Sequence, residues 1–197
     1  GQGFVRFIET RMKTPESIVI SFSSRADGNC AAIADCVQET LGAEGLTRFD
    51  FSGLSVHGCG ACHCECFRQR EACPYFADDA FRLNEAAALA DRAVFIVPNY
   101  CDFPCSNFFL FNERSQCCFN GHAELADRYL AVPKKFIVVS NTGRENFLAA
   151  FRDHVLPGTE PDVCFLRAAA YHRISLDGDL MTCEPARAAV RDFLRDW

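Results

Sequence analysis

Residues 17–37 read SIVISFSSRADGNCAAIADCV. Ser17 to Phe22 is a short apolar run, rich in β-branched residues and bounded by polar ones, the pattern of a strand buried on both faces of a parallel sheet. From Ala31 to Leu41, Ile33, Ala34, Val37 and Leu41 recur on one helical stripe, which predicts an amphipathic helix. A buried strand, a short polar loop and a helix are the opening of an α/β unit.

The same alternation continues along the chain. Arg92–Pro98 (with AVFIV) and Lys134–Ser140 (with KFIVVS) are two more buried-strand runs, and Leu46–Phe51 and Asp162–Leu166 are weaker ones. Helical periodicity marks Asp79–Asp91, Glu145–Leu156 ahead of Pro157 and Gly158, and Pro185–Trp197. Alternating strands and helices predict a parallel sheet covered on both faces. No linker, repeat or low-complexity stretch divides it, so residues 17–197 are expected to form a single domain behind an N-terminal extension, 1–16.

In an open parallel sheet, ligands bind beyond the carboxyl ends of the strands, which directs attention to the loop Ser23–Cys30. It offers hydroxyls at Ser23 and Ser24, a guanidinium at Arg25, a permissive Gly28 and an amide at Asn29, followed by the free N–H groups of a helix start. Those groups suit a phosphate. The plainer alternative is a strand-to-helix turn with Asn29 as N-cap. The loop lacks the Gly-Lys-Ser/Thr ending of a triphosphate site and the spaced glycines of a dinucleotide fingerprint, so a flavin mononucleotide phosphate suits it better than ATP or NAD.

At this loop the sequence resembles the NADPH-dependent FMN reductase and iron–sulfur flavoprotein group. There, a strand leads into a Ser-Pro-Arg-x-x-Gly-Asn-Thr/Ser loop and a helix; Ser24 stands at the proline position and Cys30 at the Thr/Ser position. The segment VPNYCDFP, Val97–Pro104, is similar to the family's Pro-x-Tyr loop, and the resemblance runs to about Gly143. It implies a flavodoxin-like three-layer α/β sandwich with a five-stranded parallel sheet in the order 2-1-3-4-5. It further implies FMN held at its phosphate by Ser23, Ser24, Arg25, Asn29 and Cys30. The flavin ring would be lined by Pro98, Asn99, Tyr100, Cys101 and Phe103, and closed off by the loop Ser140–Gly143 through Asn141 and Gly143. The implied activity passes electrons from NAD(P)H through FMN to a flavin, a quinone or an iron–sulfur acceptor, small molecule or protein, with a homodimer or homotetramer as the assembly.

A second cluster lies in HGCGACHCECFRQREACPYFADD, His57–Asp79, within a cysteine-rich loop at 56–77 that carries Cys59, Cys62, Cys64, Cys66 and Cys73. Closely spaced thiolates on a loop can converge on zinc or on an iron–sulfur cluster, and both accept four of them. The iron–sulfur flavoprotein resemblance places Cys59, Cys62 and Cys73 at three ligand positions of a 4Fe-4S cluster and Val56 at the remaining one, leaving Cys64, Cys66 or His57 to complete the set. The candidate metal set is therefore Cys59, Cys62, Cys66 and Cys73, with free or redox-active thiols as the other reading. Asp78 and Asp79 read as a helix cap. Cys101 and Cys105 read as redox groups near the flavin or as small buried residues. Cys117 and Cys118 fall on a helix with Phe108, Phe109 and Phe111, where adjacent residues point in different directions and do not share one metal.

Composition sets the outer limits. The chain has 197 residues, 49% hydrophobic and 23% charged, which is globular composition and long enough to bury one sizeable core. Twenty Lys and Arg against 26 Asp and Glu, without a basic block, argue against nucleic acid as a partner. No apolar run approaches the ~20 residues of a membrane span, and residues 1–16 lack the pattern of a secretory signal, so a cytoplasmic location is expected. Thirteen cysteines in such a chain read as metal ligands, redox groups or buried apolar residues before disulfides. Three functions remain: an FMN-dependent oxidoreductase, a non-enzymatic electron carrier using FMN or an iron–sulfur cluster, and a thiol-based metal-binding or redox-sensing module.

Overall fold

The computed structural model describes residues 16–60, 62–141, 143, 145–152 and 160–197. The predicted N-terminal extension, apart from Glu16, and the end of the predicted helix Glu145–Leu156 lie outside the described residues. Five parallel strands form the sheet: β1 (Ser17–Ser21), β2 (Leu46–Asp50), β3 (Arg92–Tyr100), β5 (Lys134–Ser140) and β6 (Asp162–Arg167), in the order β2-β1-β3-β5-β6. Counting the parallel strands alone, this is the expected 2-1-3-4-5 arrangement. One short strand was not expected: β4 (Phe103–Pro104) folds back antiparallel onto β3, pairing Phe103 with Tyr100 and Pro104 with Asn99.

The strand runs are continuously apolar because each face of the sheet is covered, and the two-residue period of a strand sends alternate side chains to different layers. Ile18, Ile20, Phe22, Phe95, Val97, Phe136 and Val138 point into one core. Helices α2 (Asp79–Leu89), α3 (Ser106–Phe119), α4 (Ala123–Ala131) and α5 (Glu145–Ala150) lie on that side through residues such as Leu83, Phe108, Tyr129 and Phe147. Val19, Val94, Ile96, Ile137 and Val139 point into the other, beneath α1 (Asn29–Leu41) and α6 (Glu184–Leu194). Phe22 anchors the first layer at the carboxyl end of the sheet: its ring meets those of Phe51, Phe95, Phe108 and Phe111 with centroids 5.3–5.6 Å apart. These aromatic contacts dock α3 immediately beside the loop that follows β1.

Helix α4 escaped the sequence reading because, among its residues, only Tyr129 is buried, which leaves a thin apolar stripe. Short 3-10 turns at Ala168–Tyr171, Ser175–Asp177 and Leu180–Thr182 were also missed. They carry the chain from β6 across the carboxyl ends of the strands before α6 begins, and so bring it over the β1–α1 loop.

Candidate functional site

The loop between β1 and α1 turns on Gly28, whose φ of 109° and ψ of −164° lie in a region open essentially to glycine alone. A Cβ at this position would sit 3.3 Å from the Arg25 guanidinium, so the missing side chain also lets Arg25 fold over the loop. Gly28 is the N-cap of α1, and among the described residues no side chain caps the helix. The predicted N-cap, Asn29, is instead the first helical residue. Its amide spans the loop and the late chain, donating to the Ser175 carbonyl at 2.8 Å and accepting from the Leu180 N–H at 2.9 Å. A helix start of this kind presents the N–H groups of its first turn and the positive end of the helix dipole.

A cleft of about 80 Å³ opens in front of this helix start. Seven of the residues expected from the sequence line it: Ser23, Arg25, Asn29, Cys30, Pro98, Asn99 and Tyr100. Five do not. Ser24 turns toward α3, where its hydroxyl accepts from Asn107 Nδ2 at 2.9 Å. Asn141 accepts from the Ser175 N–H at 2.9 Å, and the Gly143 carbonyl accepts from Asn99 Nδ2 at 3.4 Å, so both brace the site from behind. Cys101 occupies the tip of the β3–β4 hairpin and Phe103 stands on its outer side, both exposed. Asp27, Val139, Ser175 and Leu176 complete the lining and were missed. Ser175 and Leu176 could not be found from local sequence, since they arrive from about 150 positions away.

The electrostatics of the cleft favour an anion at one end. Arg25 donates from Nη1 to the Leu176 carbonyl at 3.2 Å and faces Asp27 at 3.7 Å, which leaves its half-exposed guanidinium only partly matched. Burial pushes the Cys30 thiol up to about 12. This residue therefore stays neutral and does not repel a phosphate. At the other end, Asn99 is buried and, among the described residues, its Oδ1 has no hydrogen-bond partner. An unpaired buried acceptor costs free energy, and a ligand N–H would relieve it.

The β3–β4 hairpin turns through Cys101 and Asp102, with φ of 49° and 64°; both central residues are left-handed, as a type I′ turn requires. The turn displays Tyr100 and Phe103, which are 56% and 49% exposed, as an aromatic ledge beside the cleft.

The cysteine-rich loop closes against α3. Among the described residues, no three His, Cys, Asp or Glu side chains converge closely enough to hold a metal ion. Of the expected set, Cys59 is exposed, Cys62 and Cys73 are half-buried and Cys66 is buried. The 3-10 turns at Glu65–Phe67 and Arg70–Ala72 lead Cys66 and Cys73 against Phe81, Cys117 and Cys118. His57 is committed elsewhere, stacked on Tyr75 at 4.7 Å. Asp78 is the N-cap of α2, as expected, accepting from the Ala80 N–H at 2.9 Å.

No protein-family model matches the sequence, and no curated protein matches it. Solved structures do match. Smu.1420 from Streptococcus mutans superposes with a TM-score of 0.61 at 13% identity, covering 89% of this chain and 98% of that one. FerB from Paracoccus denitrificans, described as a flavoenzyme NAD(P)H:(acceptor) oxidoreductase, gives 0.55 at 17% identity over 93% and 96%. An NAD(P)H:quinone oxidoreductase from Methanothermobacter marburgensis gives 0.53 at 17% identity over 89% and 94%. At these identities the likeness establishes a shared flavodoxin-like fold.

Proposed function

We propose that the chain is an FMN-binding oxidoreductase that takes electrons from NAD(P)H and delivers them to a flavin or quinone. The observation that carries this reading is one cleft that joins a helix start with no side-chain cap to the Asn99 Oδ1, which has no partner among the described residues. One end offers backbone N–H groups, the Ser23 hydroxyl and Arg25 to a phosphate; the other offers a buried acceptor to a ring N–H. Its volume encloses a phosphate-sized group with a few waters, and the exposed ledge of Tyr100 and Phe103 would receive the flat remainder of the ligand. The fold likeness to FerB and to the M. marburgensis quinone oxidoreductase supports the same reading.

FMN, when bound, supplies the chemistry of two-electron uptake and release. The chain's own residues then have three tasks. Ser23, Arg25 and the start of α1 hold the phosphate. Asn99, fixed by Ser140 and the Gly143 carbonyl, orients the ring edge. Tyr100 gives an apolar face on which the ring, or an acceptor ring, stacks.

The test is FMN titration followed by anaerobic addition of NADH or NADPH, read by absorbance. Flavin bands should appear on binding and bleach rapidly with a nicotinamide donor. Failure to take up FMN overturns the reading, while bound flavin indifferent to both donors converts it to that of an electron carrier.

A further inference from the structure

Helix α3 has a second functional end. Arg114 is fully buried on it, its charge matched by Asp78 Oδ2 at 2.6 Å and Oδ1 at 3.3 Å and by the carbonyls of His57 at 2.6 Å and Tyr75 at 3.3 Å. Held on these sides, it aims its remaining Nε–H at the Cys117 sulfur, 3.4 Å away. Cys117 belongs to a small buried cluster with Cys66, Cys118 and Phe81, against which Cys73 packs. On its other side Cys117 lines a cavity of about 260 Å³ together with Cys59, Cys62, Cys64, Cys66 and Phe67. The cysteine-rich loop thus folds over a hollow whose wall includes a sulfur fixed beside a guanidinium.

That arrangement supplies what thiol chemistry needs: a sulfur beside a fixed cation, a route for a small reagent and a second thiol in contact. We propose that the hollow is a thiol oxidation site, in which Cys117 reduces a hydroperoxide and then closes a disulfide with Cys73. In the first step the Cys117 thiolate attacks the terminal peroxide oxygen. An S–O bond forms, the O–O bond breaks, and the departing hydroxide or alkoxide takes a proton from water. In the second step the Cys73 sulfur attacks the sulfenic sulfur; an S–S bond forms, the S–O bond breaks, and the hydroxide leaves as water with the Cys73 proton. Two electrons pass from the thiol pair to the peroxide, and a dithiol reductant restores the pair. Cys118 also touches Cys117, but adjacent Cα atoms lie only about 3.8 Å apart, short of the span an unstrained disulfide bridges, so Cys73 is the partner. No residue of this site lines the flavin cleft, so the inference stands independently of the proposed FMN chemistry.

The experiment treats the full chain with hydrogen peroxide, maps disulfides by mass spectrometry and follows peroxide consumption in wild type, Cys117→Ser and Cys73→Ser. The expected results are a Cys73–Cys117 link in wild type, a dimedone-trapped sulfenic acid at Cys117 in Cys73→Ser, and a loss of about tenfold or more in consumption for Cys117→Ser. Peptide mapping of the wild type needs no variant to fold. Oxidation arising first at the exposed Cys59 or Cys64, wild-type consumption by Cys117→Ser, a different disulfide, or stoichiometric metal bound through Cys117 would each overturn the proposal.

Discussion

Gly178 packs on Gly28 so closely that a methyl group at position 178 would lie 3.1 Å from the Gly28 Cα. The late segment therefore rests directly on the loop that begins the candidate site, backbone against backbone. Gly178 also has a φ of 74°, in the left-handed region. Replacing it with alanine should combine the clash with the cost of a side chain in that conformation, for a loss of about 1–3 kcal/mol in urea unfolding. Wild-type stability in the Gly178→Ala variant would show that the two loops do not meet as described.

Asn29 ties the same two segments together through both halves of its amide. Asn29→Ala would strand the buried Leu180 N–H and lose the link to Ser175, a cost of about 2–3 kcal/mol. Asn29→Asp keeps the acceptor for Leu180 but sets a negative charge at the start of α1, inside the cleft. It should weaken FMN binding more than alanine does, and titration of the two variants checks the order.

Asp78 caps α2 and pairs with the buried Arg114. Burial on its own would raise its carboxyl, but hydrogen bonds from Arg114 and from the His57 and Ala80 N–H groups outweigh it and hold the carboxyl below its ordinary value. A depressed carboxyl contributes stability that is complete above the unfolded-state value, about 3.9, and is lost as pH falls through the lower folded-state value. Asp78→Asn should cost about 3–5 kcal/mol at neutral pH by leaving Arg114 without its counter-charge. The variant should also show a shallower acid-induced decline in this window, with Asp79, whose carboxyl is likewise held low, keeping its share, as urea midpoints measured from pH 6 to pH 2.5 would reveal.

The parts of the fold that were legible in the sequence are those set by local chemistry. The β1, β3 and β5 runs announced a two-faced sheet because their apolar residues meet a covering layer on both sides, and Gly28 marked the turn because only glycine reaches its conformation. Ser23 and Arg25 stood out as polar groups of the same loop and Tyr100 through the resemblance of its loop, and all three line the cleft. Asn29 was visible as a residue of the loop but not as its tie to Leu180, because the partner lies 151 positions away. The pairing of Arg114 with Cys117 was equally hidden, since a charged residue on a helix shows its burial only when Asp78, Tyr75 and the cysteine-rich loop have closed around it.

Arg25 offers the sharpest test of which end of the cleft takes the phosphate. Its side chain is 48% exposed and its contacts are a carbonyl and a distant carboxylate, so Arg25→Ala should change stability by less than about 0.5 kcal/mol. A charge-assisted contact to a phosphate is worth about 1.5–3 kcal/mol, so the same variant should bind FMN roughly tenfold or more weakly at low salt. Riboflavin, which lacks the phosphate, should bind both proteins alike. Asp27→Asn should act in the opposite sense, because the carboxylate that now competes for Arg25 is removed, and both effects should shrink as salt is added. Equal losses for FMN and riboflavin in Arg25→Ala would place the phosphate elsewhere.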